Sequence, residues 1–195
     1  MHERKKTLTG NEKSTSGESE KWDCAPKIPI TPLAIIEHER DQQRKLCRSL
    51  ELIADQLPNE VDRSLCQKTY DKLRSKLPIY HQNEEALFGL IGRRASRSMG
   101  LDAILTQVSE EHAIHNCYAE EFYELLDALN AQRHNQNYDM IGYMLRCFFE
   151  TIRRHLQWEE LTLMPLAEHA LTARDLTKLY DIVANNRGEI GLDFG

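Results

Sequence analysis

The stretch Arg154-His155-Leu156-Gln157-Trp158-Glu159-Glu160 places a histidine four residues before a glutamate. Residues four apart on an α-helix lie one above the other on the same face, so this segment presents an imidazole and a carboxylate side by side. A second stretch, Tyr80-His81-Gln82-Asn83-Glu84-Glu85, repeats the pattern upstream. One such pair is common on a solvated helix face, but both of these pairs lie within stripes of apolar residues. The pattern therefore indicates polar groups inside a helical core.

The two stretches belong to an internal repeat. Six residues define it, three in each half of the chain at the same offset: His38, His81 and Glu85, then His112, His155 and Glu159. The two histidines of each half are separated by the same number of residues, and a glutamate precedes the first histidine of each half. Two copies of this repeat predict two helical hairpins related by a pseudo-two-fold axis, with the histidines and glutamates meeting between them.

Apolar residues recur three and four apart through most of the chain, which predicts amphipathic α-helices. The last long stripe is Ile141, Leu145, Phe148, Ile152, His155 and Glu159. We predict long helices at about 31–57, 61–94, 101–129 and 138–163, and a short fifth helix at about 172–185. Pro78 lies inside the second helix, and we predict that it kinks this helix without breaking it; the alternative is two shorter helices. The predicted fold is all-α: an antiparallel up-down-up-down four-helix bundle with a short C-terminal helix.

Composition narrows the class of protein. Residues 1–27 are polar and rich in Lys, Glu and Ser, so we predict a disordered tail before one helical domain at 28–195. The chain has no run of about 18 apolar residues, which predicts no membrane span. A net charge of −6 disfavours nucleic acid as a partner. The five cysteines include no Cys-x-x-Cys pair and no secretory signal is visible, so we expect a reduced, cytoplasmic protein.

Carboxylates and imidazoles in a core need a partner. Burying a charge is costly unless it is paired or binds a metal, and two facing carboxylates repel each other. A cation removes both costs, and a mixed imidazole and carboxylate set suits iron. In the symmetric model one ion takes His38 and His81, the other takes His112 and His155, and Glu85 and Glu159 bridge both. We therefore predict two iron ions with a solvent bridge, and an open position on each for dioxygen, peroxide or nitric oxide.

Other polar residues lie next to these candidates. His115 lies in the apolar stripe of the third helix, and we expect it to support the site or to pack in the core, with a role as a seventh ligand left open. Glu111 adjoins His112, and an adjacent residue faces elsewhere on a helix, so we expect it to be mostly solvated, with a supporting role open. The alternative to the iron hypothesis is a structural or interaction bundle whose site holds zinc or no metal. The sequence favours a metal-binding or sensor protein over a defined enzyme, since no catalytic triad or phosphate loop is visible.

Taken together, these motifs resemble the hemerythrin family, in its bacterial HHE cation-binding branch. The resemblance spans roughly residues 30–170 and rests on four segments: Glu37-His38, Leu77 to Glu85, Glu111-His112, and His155 to Glu160 followed by Met164-Pro165. It implies a four-helix bundle that holds a non-haem diiron site. The oxygen-carrying members have a histidine four residues after the third-helix histidine and an aspartate as the last bridge, where this chain has Asn116 and Glu159. That departure favours redox chemistry, or sensing of iron, oxygen or nitric oxide, over reversible oxygen carriage.

Overall fold

The computed structural model of the chain describes residues 31–59, 61–95, 99–131 and 137–188. Within those ranges every regular element is helical, and no strand occurs. The elements are α1 (Pro32–Gln56), α2 (Arg63–Ser75), α3 (Leu77–Arg94), α4 (Met99–Asn130), α5 (Tyr138–Trp158), a π-helical turn (Glu159–Leu163), α6 (Met164–Ala170) and α7 (Ala173–Gly188). The prediction of an all-α fold is confirmed. The predicted disordered tail, 1–27, lies outside the described residues.

Helix α1 begins where the sequence indicates. The Thr31 side-chain oxygen accepts a hydrogen bond of 3.1 Å from the Ala34 N–H, which satisfies one of the unpaired donors of the first turn. Pro32 occupies the first helical position, where its missing N–H has no intrahelical partner to lose. A Thr-Pro pair is therefore a sufficient local signal for this helix start.

The second predicted helix is two helices. Helix α2 ends at Ser75 and α3 begins at Leu77, with Lys76 between them at φ −108° and ψ −45°. Pro78 lies in the first turn of α3, so its missing N–H breaks no intrahelical hydrogen bond. The prediction of one kinked helix is therefore wrong, and the alternative of two shorter helices is the one that the structure shows.

Two apolar clusters form the core. The first core cluster joins α1, α2, α4 and α5 through residues that include Leu46, Leu50, Leu73, Phe122, Leu145 and Ile152. The second core cluster lies around α3, the start of α4 and α7, through residues that include Ile36, Leu87, Ile91, Val108, Leu163, Leu179 and Val183. Buried polar residues of α1, α3, α4 and α5 separate the clusters along each helix. The candidate site lies in this polar layer.

The order of the two clusters alternates along the chain. Helices α1 and α4 begin in the second core cluster and continue into the first, whereas α3 and α5 run from the first towards the second. Helix α1 packs against α5, α2 against α4, and α3 against both α4 and α7. This alternation is what an up-down-up-down bundle requires, and that exact topology stays a prediction. No helix in the described ranges has the length and apolar character needed to cross a membrane.

Candidate metal centre

Four buried side chains converge in the polar layer. They are Glu84 of α3, His112 of α4, His155 of α5 and Glu159, the first residue of the π-helical turn. One ligand atom from each lies within 4.8 Å of those of the other three. None of the four residues is more than 3% exposed. The group therefore offers two nitrogens and two oxygens to one small volume that water does not reach freely.

The two imidazoles at the centre are oriented from outside. His112 Nδ1 lies 2.8 Å from Glu85 Oε1, and His155 Nδ1 lies 2.8 Å from Glu111 Oε2. A carboxylate accepts only, so each Nδ1 carries the proton and donates. Each Nε2 then presents its lone pair inward, and the two Nε2 atoms lie 2.8 Å apart. Two lone pairs at that distance repel unless a proton or a metal ion lies between them. In metal sites, the histidine ligands commonly donate their other ring N–H to a carboxylate, as both histidines do here.

The two glutamates each direct one oxygen to the same place. Glu84 Oε2 lies 3.3 Å from His112 Nε2, and Glu159 Oε1 lies 3.3 Å from His155 Nε2. Both of these oxygens are buried and make no hydrogen bond. Buried polar atoms are almost always hydrogen-bonded, so two unpaired carboxylate oxygens beside two facing lone pairs need an explanation.

Helix α1 holds the other oxygen of each glutamate. Gln43 Nε2 donates to Glu84 Oε1 at 2.7 Å, and Arg40 Nε donates to Glu159 Oε2 at 3.2 Å. Arg40 Nη2 also donates to the Leu156 carbonyl at 2.8 Å, which fixes the guanidinium in the layer. The contribution of α1 to the centre is therefore an amide and a guanidinium that fix the carboxylates.

Two further histidines line the layer. The His81 ring stacks on the His112 ring, with centroids 4.2 Å apart and planes inclined by 15°. Its Nδ1 lies 3.0 Å from Asn116 Oδ1, and its buried Nε2 has no hydrogen-bond partner. The His115 ring lies 5.3 Å from that of His155, and its buried Nδ1 is also without a partner. Both residues are within reach of the four-residue group without belonging to it.

The residues present fit a metal cation. Five buried nitrogen and oxygen atoms of the layer make no hydrogen bond: Glu84 Oε2, Glu159 Oε1, His81 Nε2, His115 Nδ1 and Gln43 Oε1. Imidazole nitrogen and carboxylate oxygen are ligands for iron and zinc, and a cation would satisfy the first two atoms together with the facing Nε2 pair. The chemistry of the donor set and its unpaired atoms therefore agree.

The pKa shifts of the buried groups in the layer also indicate that a positive charge stabilises it. Burial raises the pKa of Glu84 to about 7, and the nearby Glu159 carboxylate adds to the rise. Burial acts to lower the pKa of His112, but the Glu84 and Glu85 carboxylates outweigh it and raise that pKa to about 9. Burial, together with the neighbouring His155, lowers the pKa of His115 to about 3. The carboxylates thus favour a proton on the central imidazoles. A metal ion that binds between these groups would take the place of that proton and release it.

A family model described as the hemerythrin HHE cation-binding domain matches residues 31–167. The chain belongs to the hemerythrin HHE family. The matched range runs from the cap of α1 into α6 and contains every residue of the polar layer. The resemblance read from the motifs is confirmed, and with it cation binding as the property of this family. Searches among curated proteins and among solved structures found no match.

The HHE domain brings together four of the six predicted ligands. His112, His155 and Glu159 belong to the four-residue group, and His81 stacks on it. His38 does not join them: it is exposed, and its Nε2 lies 3.3 Å from Gln42 Nε2 on the same face of α1. That each residue of the group binds a metal stays a prediction.

The position of His38 follows from the phase of α1. The buried stripe of this helix runs Ile36, Glu39, Gln43, Leu46, Leu50 and Ile53, in alternating steps of three and four. His38 precedes a stripe position by one residue and so points away from the core. The predicted convergence of His38 with the other ligands is therefore wrong, and an extension of the Leu46–Ile53 stripe towards the N-terminus would have shown it.

Glu85 is displaced from the centre by the same kind of phase difference. The buried stripe of α3 is Leu77, His81, Glu84, Phe88 and Ile91. Glu84, three residues after His81, therefore points inward, whereas the Glu85 side chain is 41% exposed and accepts from His112 Nδ1 and from Ser109. The sequence pattern His-x-x-x-Glu thus misidentified the inward carboxylate in α3, although it identified that of α5. Glu111, expected to be mostly solvated, orients His155.

Proposed function

We propose that this HHE domain is a non-haem iron-binding protein that binds or senses small oxidants, or iron itself. Its first ion is held by Glu84, His112, His155 and Glu159. The observation that supports the proposal is the pair of inward Nε2 atoms 2.8 Å apart, each on a ring whose Nδ1 donates to a carboxylate. A set of two nitrogens and two oxygens is hard enough for iron, and iron bound there supplies the one-electron chemistry that dioxygen, peroxide or nitric oxide requires.

Two iron ions remain part of the proposal. A second ion needs further ligands, and the layer contains the unpaired His81 Nε2 and His115 Nδ1. These are the imidazoles that a diiron centre of this family would use once His38 is excluded. A solvent bridge would complete such a pair. Iron content per chain is the quantity that decides between one ion and two.

The surroundings of the layer favour a small and uncharged ligand. Phe88 stacks on His112 with ring centroids 5.6 Å apart, and Phe148 meets His115 edge-on at 6.2 Å. Leu163 and Ile152 are fully buried on either side of the layer. Apolar walls of this kind exclude water, which favours a diatomic molecule or peroxide over a large polar substrate.

Purification without oxygen followed by iron analysis tests the proposal. We expect at least one iron per chain, and a new absorption band in the near-ultraviolet or visible range on exposure to air. His155→Ala removes an inward Nε2 and is expected to abolish both the iron and the band. His169→Ala, an exposed histidine of α6, is the matched control and should keep both. Less than one iron per chain from iron-replete cells would contradict the proposal.

A structural zinc site is the second candidate, because Glu84, His112, His155 and Glu159 number four. Structural zinc is almost always four-coordinate, with bond lengths of about 2.0–2.2 Å to nitrogen and oxygen. Competition separates the two candidates. Because Zn²⁺ outcompetes Fe²⁺ at most nitrogen and oxygen sites in vitro, the competition has to take place in the cell. Protein purified from cells supplied with both iron and zinc contains zinc alone in the structural case and shows no band in air.

A further inference from the structure

The side of the layer formed by α1 is unlike the sides formed by α3, α4 and α5. The described part of α1 turns no histidine into the layer, and His38 is exposed. The buried residues that α1 places against the ligands are Arg40 and Gln43, at 3% and 0% exposure. The repeat in the sequence predicts two equivalent metal positions. In the structure, α3, α4 and α5 contribute imidazoles to the layer, whereas α1 contributes a guanidinium.

Arg40 is a permanent and fixed charge. A guanidinium does not deprotonate in proteins, so burial cannot neutralise it. Its Nε donates to Glu159 at 3.2 Å and its Nη2 to the Leu156 carbonyl at 2.8 Å, so two of its edges are occupied. Glu85 and Glu111 lie outside the layer and accept hydrogen bonds from Nδ1 of His112 and of His155. Glu159 is the carboxylate that accepts from Arg40.

A bridge between two metal ions commonly uses both oxygens of a carboxylate. Arg40 holds Glu159 Oε2, and Gln43 holds Glu84 Oε1 at 2.7 Å. The free oxygens, Glu159 Oε1 and Glu84 Oε2, are those beside the two Nε2 atoms. One ion can therefore gather two nitrogens and two oxygens without disturbing α1. A second ion that uses these glutamates as bridges has to displace Arg40 or Gln43.

We propose that the two metal positions of this centre are unequal and that Arg40 makes them so. The position formed by Glu84, His112, His155 and Glu159 binds one divalent ion tightly. The position that His81 and His115 would serve binds a second ion on the order of 100-fold more weakly, because Arg40 already holds Glu159 Oε2, the oxygen that a bridge to a second ion would use. This inference rests on the proposed metal site and deepens it, since it assigns the number of tightly bound ions and the residue that sets that number.

Titration of the metal-free full chain with Co²⁺ under nitrogen tests the inference. Equilibrium dialysis counts bound ions, and the visible absorption of Co²⁺ reports the ligand set. We expect one ion to bind tightly and the second to bind about 100-fold more weakly. Arg40→Gln should strengthen the second binding event by at least about tenfold, and Arg40→Lys, which retains the charge, should not. Two ions of equal affinity in the natural protein, or identical titrations for Arg40→Gln and Arg40→Lys, would overturn the inference.

Loss of Arg40 leaves the Glu159 carboxylate buried without its cationic partner, so circular dichroism must first show that Arg40→Gln folds. His115→Ala provides an independent test that keeps Arg40 in place. Unequal positions predict that this variant binds the first Co²⁺ with the affinity of the natural protein, within about threefold. A loss of first-ion affinity as large as that of His155→Ala would contradict the inference. Failure of the natural protein to bind any Co²⁺ or iron would instead refute the proposed metal site, whereas two equal ions would refute only the inequality.

Discussion

Glu84 is a buried carboxylate of the centre whose protonation depends on burial and on its neighbours. It is 1% exposed, and burial together with the Glu159 charge raises its pKa to about 7. Gln43 donates to one of its oxygens, which leaves the other directed at His112. A buried carboxylate of this kind is stable when a cation or a proton lies at its free oxygen. Its role can therefore be separated from that of the adjacent and more exposed Glu85.

Glu84→Gln and Glu85→Gln are expected to weaken metal binding to different extents. Glu84→Gln replaces an inward charged oxygen, and we expect a loss of metal affinity of at least about 100-fold. Glu85→Gln removes only the acceptor that orients His112, and losses of this kind are about 10- to 100-fold. Equilibrium dialysis with Co²⁺ measures both. A larger loss for Glu85→Gln than for Glu84→Gln would show that the outer glutamate, as the sequence pattern suggested, is the ligand.

His38→Ala is expected to leave metal binding unchanged. The side chain is exposed and contacts Gln42 of its own helix, so its removal uncovers no buried group. The change in free energy of unfolding should stay within about 0.5 kcal/mol, as for surface substitutions elsewhere. Iron analysis of the variant, with His155→Ala as the positive control, makes the measurement. Loss of iron from His38→Ala would mean that α1 rotates to bring this histidine into the layer.

The residue types of the centre could be predicted from the sequence, but not the helical phase of every member. Of the six residues in the repeat, the structure buries His81, His112, His155 and Glu159, and two of the stripes that contain them run through long apolar segments. Glu84 and Glu85 are adjacent, and a pattern alone does not decide which of two neighbouring glutamates faces inward. The sequence analysis did not predict the role of Arg40, because no sequence motif marks a buried guanidinium. Extension of the α1 stripe towards the N-terminus does place Arg40 next to Glu39, which faces the core.

At the scale of elements, α7 is attached to the bundle by polar contacts at both ends. At its start, Asp175 accepts two hydrogen bonds from Arg94, at 2.7 and 3.1 Å. At its end, Arg187 donates to the buried Glu39 of α1 at 3.1 Å, and Asn186 donates to Asn83 of α3 at 2.8 Å. Because Asn83 and Glu39 precede Glu84 and Arg40, the end of α7 supports the backbone that carries the site.

Leu179→Ala is expected to destabilise the domain substantially. Leu179 is fully buried in the second core cluster, and Leu→Ala changes at such positions cost about 2–5 kcal/mol. Tyr180→Ala is the control on the same helix, since Tyr180 is 47% exposed and should change the free energy of unfolding far less. Urea unfolding followed by circular dichroism measures both. Similar stabilities for the two variants would mean that α7 does not pack into this core in solution.

Asp175 is expected to make stability depend on pH at the acidic end. Arg94, and then Thr172, donate to its carboxylate and hold the pKa of Asp175 well below its usual value. The folded state therefore binds this proton less readily than the unfolded state, in which the pKa is about 3.9. The stabilisation is present above about pH 4 and declines as the pH falls below it towards the folded pKa. In urea unfolding at pH 6 and pH 3, the advantage of the natural protein over Asp175→Asn should shrink at pH 3; an equal advantage at both would contradict this.

The helices could be predicted from the sequence more completely than their irregularities. The start of α1 has a capping threonine and proline, and the apolar period of this helix is clear from Leu46 to Ile53. The π-helical turn after α5 has no comparable pattern: the N–H of Glu159 reaches both the His155 and Leu156 carbonyls, and a wide turn follows. Pro165 lies just beyond it, and a proline cannot continue a regular helix without a break in the hydrogen-bond ladder. Met164-Pro165 marked the place, but not the form, of the change.

At the scale of the whole molecule, a polar layer lies between two apolar clusters. Hydrophobic burial stabilises each cluster, but the layer between them contains polar atoms without hydrogen bonds and three buried carboxylates, those of Glu39, Glu84 and Glu159. The ligands of the four-residue group come from α3, α4 and the junction of α5 with the π-helical turn. A metal ion in the layer would therefore connect helices that the clusters alone hold at each end, and its binding free energy would add to the stability of the whole domain.

We accordingly expect metal ions to raise the melting temperature of the domain. A ligand that binds only the folded state at about 100 times its dissociation constant stabilises it by about 2.7 kcal/mol. For a chain of this size, about 2–4 °C per kcal/mol gives a rise of roughly 5–10 °C. Thermal unfolding with Co²⁺, and again after chelation, measures the shift. His155→Ala should lose the shift while His169→Ala keeps it, because only His155 directs a nitrogen into the layer. An equal shift in both variants would mean that the ion stabilises the protein from somewhere other than this centre.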